Sequence, residues 1–178
     1  VSYPHAQEAL PAAGARLTPM PVLADSPWDV PTAVDMLTSG RHRAAYLIPD
    51  FHNPTAAVMD ESDRGALARA LRRAGTLTIV DESLRELNLD GVELPPSLVS
   101  FDRDAVLVDS PSKIFWGGLR VGWVRAPRHL VMPLVQARMS HDLGTSAFGQ
   151  LVLAELLRDP APVIARAYAP GMTTRAPV

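Results

Sequence analysis

The sequence predicts an α/β domain with a mostly parallel sheet flanked by helices, and three observations carry that reading. Short apolar runs recur along the middle of the chain, at Ala44-Ala45-Tyr46-Leu47-Ile48, Thr76-Leu77-Thr78-Ile79-Val80 and Ala105-Val106-Leu107-Val108. A segment with helical periodicity separates the first two. A polar cluster follows each run immediately. Strands interleaved with helices favour a largely parallel sheet, buried on both faces.

The elements follow in order. Ala13-Gly14-Ala15-Arg16-Leu17 and a proline-rich stretch lead to a short helix expected from Pro31 to Leu37. The run Ala44 to Ile48, stopped by Pro49, reads as a buried strand, with Tyr46 in the core. Asp60 is placed to cap a helix ending near Ala74, because Leu67, Ala70, Leu71 and Ala74 fall on one face. Gly75 then fits the position just past a helix end. Thr76–Val80 and Ala105–Val108 are the next strands, and Val121–Val124 is a fourth candidate. Pro127 to Met139 and Thr145 to Leu157 look helical, and the C-terminal residues, ending Pro170 to Val178, lack periodicity and are expected to fray.

Composition narrows the function classes. A chain of 178 residues that is 47% apolar is enough for one ordinary core. A net charge of −2 gives no reason to expect direct contact with nucleic acid or an anionic membrane. No basic region followed by an apolar run opens the chain, and no stretch nears the roughly 20 apolar residues that span a bilayer. With no cysteine, disulfides and thiolate metal sites are excluded, and a cytoplasmic location is the default expectation. The seventeen prolines fall mostly between the periodic segments and read as punctuation.

Lys113 is the only lysine, against sixteen arginines. A GC-rich genome would account for the arginines, and the same bias would sharpen the exception. Guanidinium stays protonated, whereas a lysine amine can lose its proton and form a Schiff base.

Ligands of open α/β sheets bind beyond the carboxyl ends of the strands. Three clusters fall at such ends: Pro49-Asp50-Phe51-His52-Asn53-Pro54-Thr55, Asp81-Glu82-Ser83, and Asp109-Ser110-Pro111-Ser112-Lys113. An amide, a carboxylate, two hydroxyls and the only amine would converge on one edge. That set suits a phosphorylated heteroaromatic aldehyde. His52 has no second ligand for a metal and reads as lying behind the site or at the surface, while Phe115 and Trp116 are expected to pack under the lysine loop.

Asn53-Pro54-Thr55, Asp81 after a strand, and Ser110-x-Ser112-Lys113 followed by Gly118-Leu119-Arg120-Val121-Gly122-Trp123 occur in an order and at separations that carry a resemblance. The chain resembles the large domain of the fold type I pyridoxal-phosphate enzymes, the class I/II aminotransferases, over roughly residues 1–158. The phrases Tyr46-Leu47-Ile48-Pro49-Asp50-Phe51-His52-Asn53-Pro54 and Phe115-Trp116-Gly117-Gly118-Leu119-Arg120 are most similar to the MocR-type (GntR-family) regulators, in which such a domain follows a winged-helix DNA-binding domain.

The resemblance implies pyridoxal 5'-phosphate as cofactor, with Lys113 forming the internal aldimine and acting as base at the substrate α-carbon. It implies Asp81 on the pyridine nitrogen, Asn53 on the ring's phenolic oxygen, and Ser110, Ser112 and Arg120 on the phosphate. Gly117-Gly118 would allow close backbone approach, and Tyr3 matches the aromatic that stacks on the ring. Three departures stand out. Ala56 replaces the usual glycine after Asn-Pro-Thr, which matters if positive φ is required there. Ser83 and Leu84 stand where many aminotransferases place a tyrosine for the phenolic oxygen, so that contact is absent or supplied differently. The helix that binds phosphate before Tyr3 and the small domain beyond Leu157, with its carboxylate-gripping arginine, are not in the sequence.

The chain therefore reads as shortened at both ends. Residues 1–128 would be the cofactor-binding large domain, and 129–178 its later helices and the start of the linking helix. Amino-group transfer on an amino acid and a sensor of an amine or the vitamer, serving an absent DNA-binding domain, both remain open, as does a remnant without function. An amino acid or amine is the expected small-molecule partner, and a homodimer is expected of the complete protein.

Overall fold

The structure, a computed structural model, describes residues 2–20, 28–162 and 164. The frayed end expected at Pro170 to Val178 lies outside the described residues.

Helix α1, Pro4–Ala12, is an element the sequence reading does not place, and it carries two of the prolines. Pro4 sits at the start of the helix, where a missing N–H leaves nothing unpaired, and Pro11 falls in the last turn. Helix α2 spans Val30–Ser39, slightly longer than expected, because Asp29 caps it by accepting from the Thr32 amide at 3.0 Å and the Thr32 hydroxyl at 2.6 Å. Strand β1 is Ala44–Leu47. Helix α3, Glu61–Ala74, begins and ends where the sequence places it. Asp60 accepts from the Asp63 amide at 2.8 Å, and Gly75 closes the helix at φ 66°.

Strands β2, Leu77–Asp81, and β3, Val106–Asp109, follow, then β4, Trp123–Arg125. The order is β1-β2-β3-β4, with the first three parallel and β4 antiparallel to β3. Helices α4, Arg128–Met139, and α5, Ala147–Leu156, follow the sheet. Ser146 caps α5 through the Gly149 amide. Among the described residues no helix is long and apolar enough to cross a membrane.

The main core lies on one face of the sheet. Leu47 and Val80 pack there with Trp28, Val30 and Ala33 near and on α2, and with Leu67, Ala68 and Leu71 of α3. A smaller cluster of Leu119, Val121 and Leu153, joined by Phe115, seats α5 against the segment after Lys113. Gly149 makes that approach possible: a Cβ there would lie 2.9 Å from the Leu119 carbonyl oxygen.

Burial on both faces is corrected. Along β2 the residues alternate between buried and half-buried, and all of β4 is exposed. Val131, Met132, Leu134, Val135 and Met139 of α4 are exposed as well. Among the described residues, the face under α2 and α3 carries the main closed core.

Candidate active site

Register decides what meets at the strand ends. Leu47 is paired with Val80, Asp81 with Val108, and Asp109 with Trp123. The chain thus leaves β1, β2 and β3 at one edge of the sheet and re-enters β4 from that same edge. Asn53, Asp81, Ser110, Ser112, Lys113 and Arg120 all belong to segments at this edge. A hollow of about 330 Å³ at the opposite end, lined by Arg72, Thr76, Thr78 and Asp102 among others, includes none of them.

Asp81 closes β2 and is held by two donors. The Ser83 amide donates to Oδ1 at 3.0 Å, and the Tyr46 hydroxyl donates to Oδ2 at 2.5 Å. Tyr46 is therefore not a plain core residue. It is half-buried on the sheet face opposite the main core, and burial together with Asp81 pushes its phenol above the ordinary range. Tyr3 adds a smaller contribution to that shift. Tyr3 itself precedes α1, is 39% exposed, and makes a 2.9 Å hydrogen bond with His5 Nδ1.

The lysine loop is tied at its base. Ser110 and Ser112 share a hydrogen bond between their Oγ atoms at 2.8 Å, and Ser110 Oγ donates to the Val121 carbonyl at 3.1 Å. This joins the two hydroxyls to the residue after Arg120. Arg120 takes the left-handed conformation at φ 49°, a strained state for a side-chain-bearing residue, and is exposed. Lys113 is exposed on the turn that follows Ser112. Trp116 does not pack beneath the loop: it is 67% exposed, and its indole occupies the space that a Cβ on Gly118 would need. Gly118 thus makes room for Trp116. Phe115 joins the smaller core cluster as expected.

The first cluster divides its residues between inside and edge. Asp50 turns inward, fully buried, and pairs with Arg64 at 2.5 Å and Arg85 at 2.8 Å. Arg64 also donates to the carbonyls of Met59 and Pro96. His52 is buried, edge-on to Trp28 and hydrogen-bonded to Thr55 Oγ1 at 2.9 Å, and its burial lowers its pKa. It is a packing residue behind Asn53. The Asn53–Pro54 peptide is cis, and Ala56 takes φ 56°, so the positive φ suited to glycine is required here.

Glu82 faces inward and accepts from the Ser97 hydroxyl, with burial raising its pKa. Asp109 is raised to about 6, chiefly by burial and further by Glu82, Glu86 and Asp81. The edge is thus acidic around Asp81 and offers hydroxyls, an amine and a guanidinium on the neighbouring loop. A carboxylate fixed by neutral donors can pair with a protonated ring nitrogen, and the hydroxyl and guanidinium set suits a phosphate. These residues fit a phosphorylated pyridine aldehyde. The Tyr46 contact with Asp81 is what the sequence reading missed, because nothing in one strand's pattern gives its register against the next.

Residues 1–175 match the family described as aminotransferase class I and II. The chain is 32% identical over 163 residues to 2-aminoadipate transaminase of Thermus thermophilus, which covers 89% of this chain and 41% of that protein. It is also 32% identical over 158 residues to an HTH-type transcriptional regulator of Bacillus subtilis, YdfD, with 86% of this chain and 32% of that protein covered. Among solved structures, the α-aminoadipate aminotransferase LysN of T. thermophilus, complexed with N-(5'-phosphopyridoxyl)-L-leucine, superposes with TM-score 0.85 at 30% identity, covering 94% of this chain and 44% of that one. N-succinyldiaminopimelate aminotransferase of Mycobacterium tuberculosis gives 0.84 at 25% identity, with the same shares covered. The chain spans less than half the length of these relatives.

Proposed function

We propose, from the premise that this chain belongs to the class I and II aminotransferase family, that its strand-end edge binds pyridoxal phosphate and serves amino-group transfer on an amino acid. The observation that carries the reading is the meeting of a fixed, unneutralised carboxylate with a hydroxyl pair and the only lysine at one edge. Lys113 supplies the amine that holds the aldehyde carbon, then takes and returns the proton at the substrate α-carbon. Asp81 pairs with the ring nitrogen, Asn53 donates toward the ring hydroxyl, and Tyr3 stacks on the ring. Ser110, Ser112 and Arg120 hold the phosphate through charge-assisted hydrogen bonds. When bound, the cofactor supplies the electron sink that makes the α-proton acidic. A homodimer is the assembly expected of the complete protein.

The test is a titration of the purified chain with pyridoxal phosphate, followed by borohydride reduction and location of the adduct by mass. A stoichiometric adduct on Lys113, lost in Lys113→Ala, supports the reading; an adduct that survives Lys113→Ala overturns it.

Likeness to the Bacillus regulator favours a second reading, in which the same site senses an amine for an attached DNA-binding domain. Adding an amino acid to the cofactor-loaded protein separates the two. Stoichiometric release of the keto acid supports transfer, whereas a spectral shift with no keto acid supports sensing.

A further inference from the structure

We infer that Tyr46 is the positioning residue for Asp81, holding its carboxylate toward the ring nitrogen from the neighbouring strand. The inference rests on the reading of Asp81 given above and assigns a role to a residue outside that set.

The geometry follows from the sheet. Tyr46 is paired with Ile79, and Asp81 lies two residues further along β2, so the two side chains project from the same face as diagonal neighbours. That separation is within reach of a long aromatic side chain, and the phenol closes on Oδ2 at 2.5 Å. The Ser83 amide holds Oδ1 from the other side. With both oxygens engaged, rotation of the carboxylate is restrained, yet lone pairs remain for one more donor.

The kind of donor matters as much as its place. Asp50, at the same end of the sheet, is neutralised by Arg64 and Arg85. Asp81 forms no ion pair among the described residues. A phenol fixes the carboxylate without cancelling its charge, which an arginine in the same place would do. Burial and Asp81 raise the Tyr46 pKa, so the hydroxyl stays protonated and remains a donor at neutral pH.

The experiment compares wild type, Tyr46→Phe, Asp81→Asn and the double variant. Each is titrated with isotope-labelled pyridoxal phosphate, and the ring-nitrogen NMR resonance is read along with the affinity. In Tyr46→Phe the Lys113 adduct should persist, affinity should fall roughly tenfold as expected for one hydrogen bond to a charged group, and the resonance should move toward the unprotonated ring. In the Asp81→Asn background, Tyr46→Phe should change neither quantity further. An unmoved resonance with unchanged affinity overturns the role, as do additive losses in the double variant. Absence of any Lys113 adduct in wild type sinks the cofactor reading first, and this inference with it. Should Tyr46→Phe not fold, the Tyr46 phenol is titrated by ultraviolet absorbance in Asp81→Asn. It must return toward the ordinary phenol range there, and an unmoved titration overturns the inference.

Discussion

Ala56 holds a left-handed backbone, φ 56°, at the loop that carries Asn53. A Cβ in that region costs roughly 1–2 kcal/mol, partly offset for glycine by its greater freedom when unfolded. Ala56→Gly is therefore expected to stabilise the chain by about 1 kcal/mol, read as a higher urea midpoint at unchanged slope. Asp109 gives the opposite lesson, a residue that burial penalises. Its pKa of about 6 lies above the unfolded value of 3.8, so its contribution is fully present below about pH 4 and is lost as pH rises through 6. Asp109→Asn keeps an acceptor for the Ser110 amide, which now donates to Oδ1 at 2.6 Å. It should raise stability at neutral pH by on the order of 1 kcal/mol after solvent screening. Denaturation at about pH 4 should show no gain over wild type.

At the scale of elements, the site stands on a buried ionic anchor. Arg64 reaches from α3 to Asp50 in the loop after β1, and to the Pro96 carbonyl across the core. Arg85 joins from beyond β2, donating to Asp50 and to the Pro95 carbonyl. One carboxylate thereby ties the Asn53 loop to α3 and to the segment after Asp81. Arg64→Met removes a fully buried partner and leaves Asp50 to Arg85 alone. The expected loss is about 3 kcal/mol, measured by chemical denaturation. Replacing both residues, as Asp50→Leu with Arg64→Met, should cost less than the single change, since no unpaired charge then remains buried.

For the molecule as a whole, three parallel strands and one antiparallel strand among the described residues bring three loops to one edge, and α5 braces the segment around Arg120. Much of this was legible along the chain. The spacing of Leu67, Ala70, Leu71 and Ala74, with Asp60 before and Gly75 after, marks α3 at both ends because caps and periodicity are local. Helix α1 was hidden, since proline reads as a break unless its place in the turn is known. The same holds for the fate of the polar clusters. Asp50 and Asp81 follow strands in the same way, yet one is buried between arginines and the other is held by a phenol.

The sequence by itself determined the types of the elements after α1, the order of the strand-end clusters and the family to which they point, because these depend on neighbours in the chain. Only the tertiary structure decided which side chains meet. The pairing of Tyr46 with Ile79 sets Tyr46 beside Asp81, and a slip of one residue would send it to the opposite face. Register is a contact between segments distant in the chain, and no single strand encodes it.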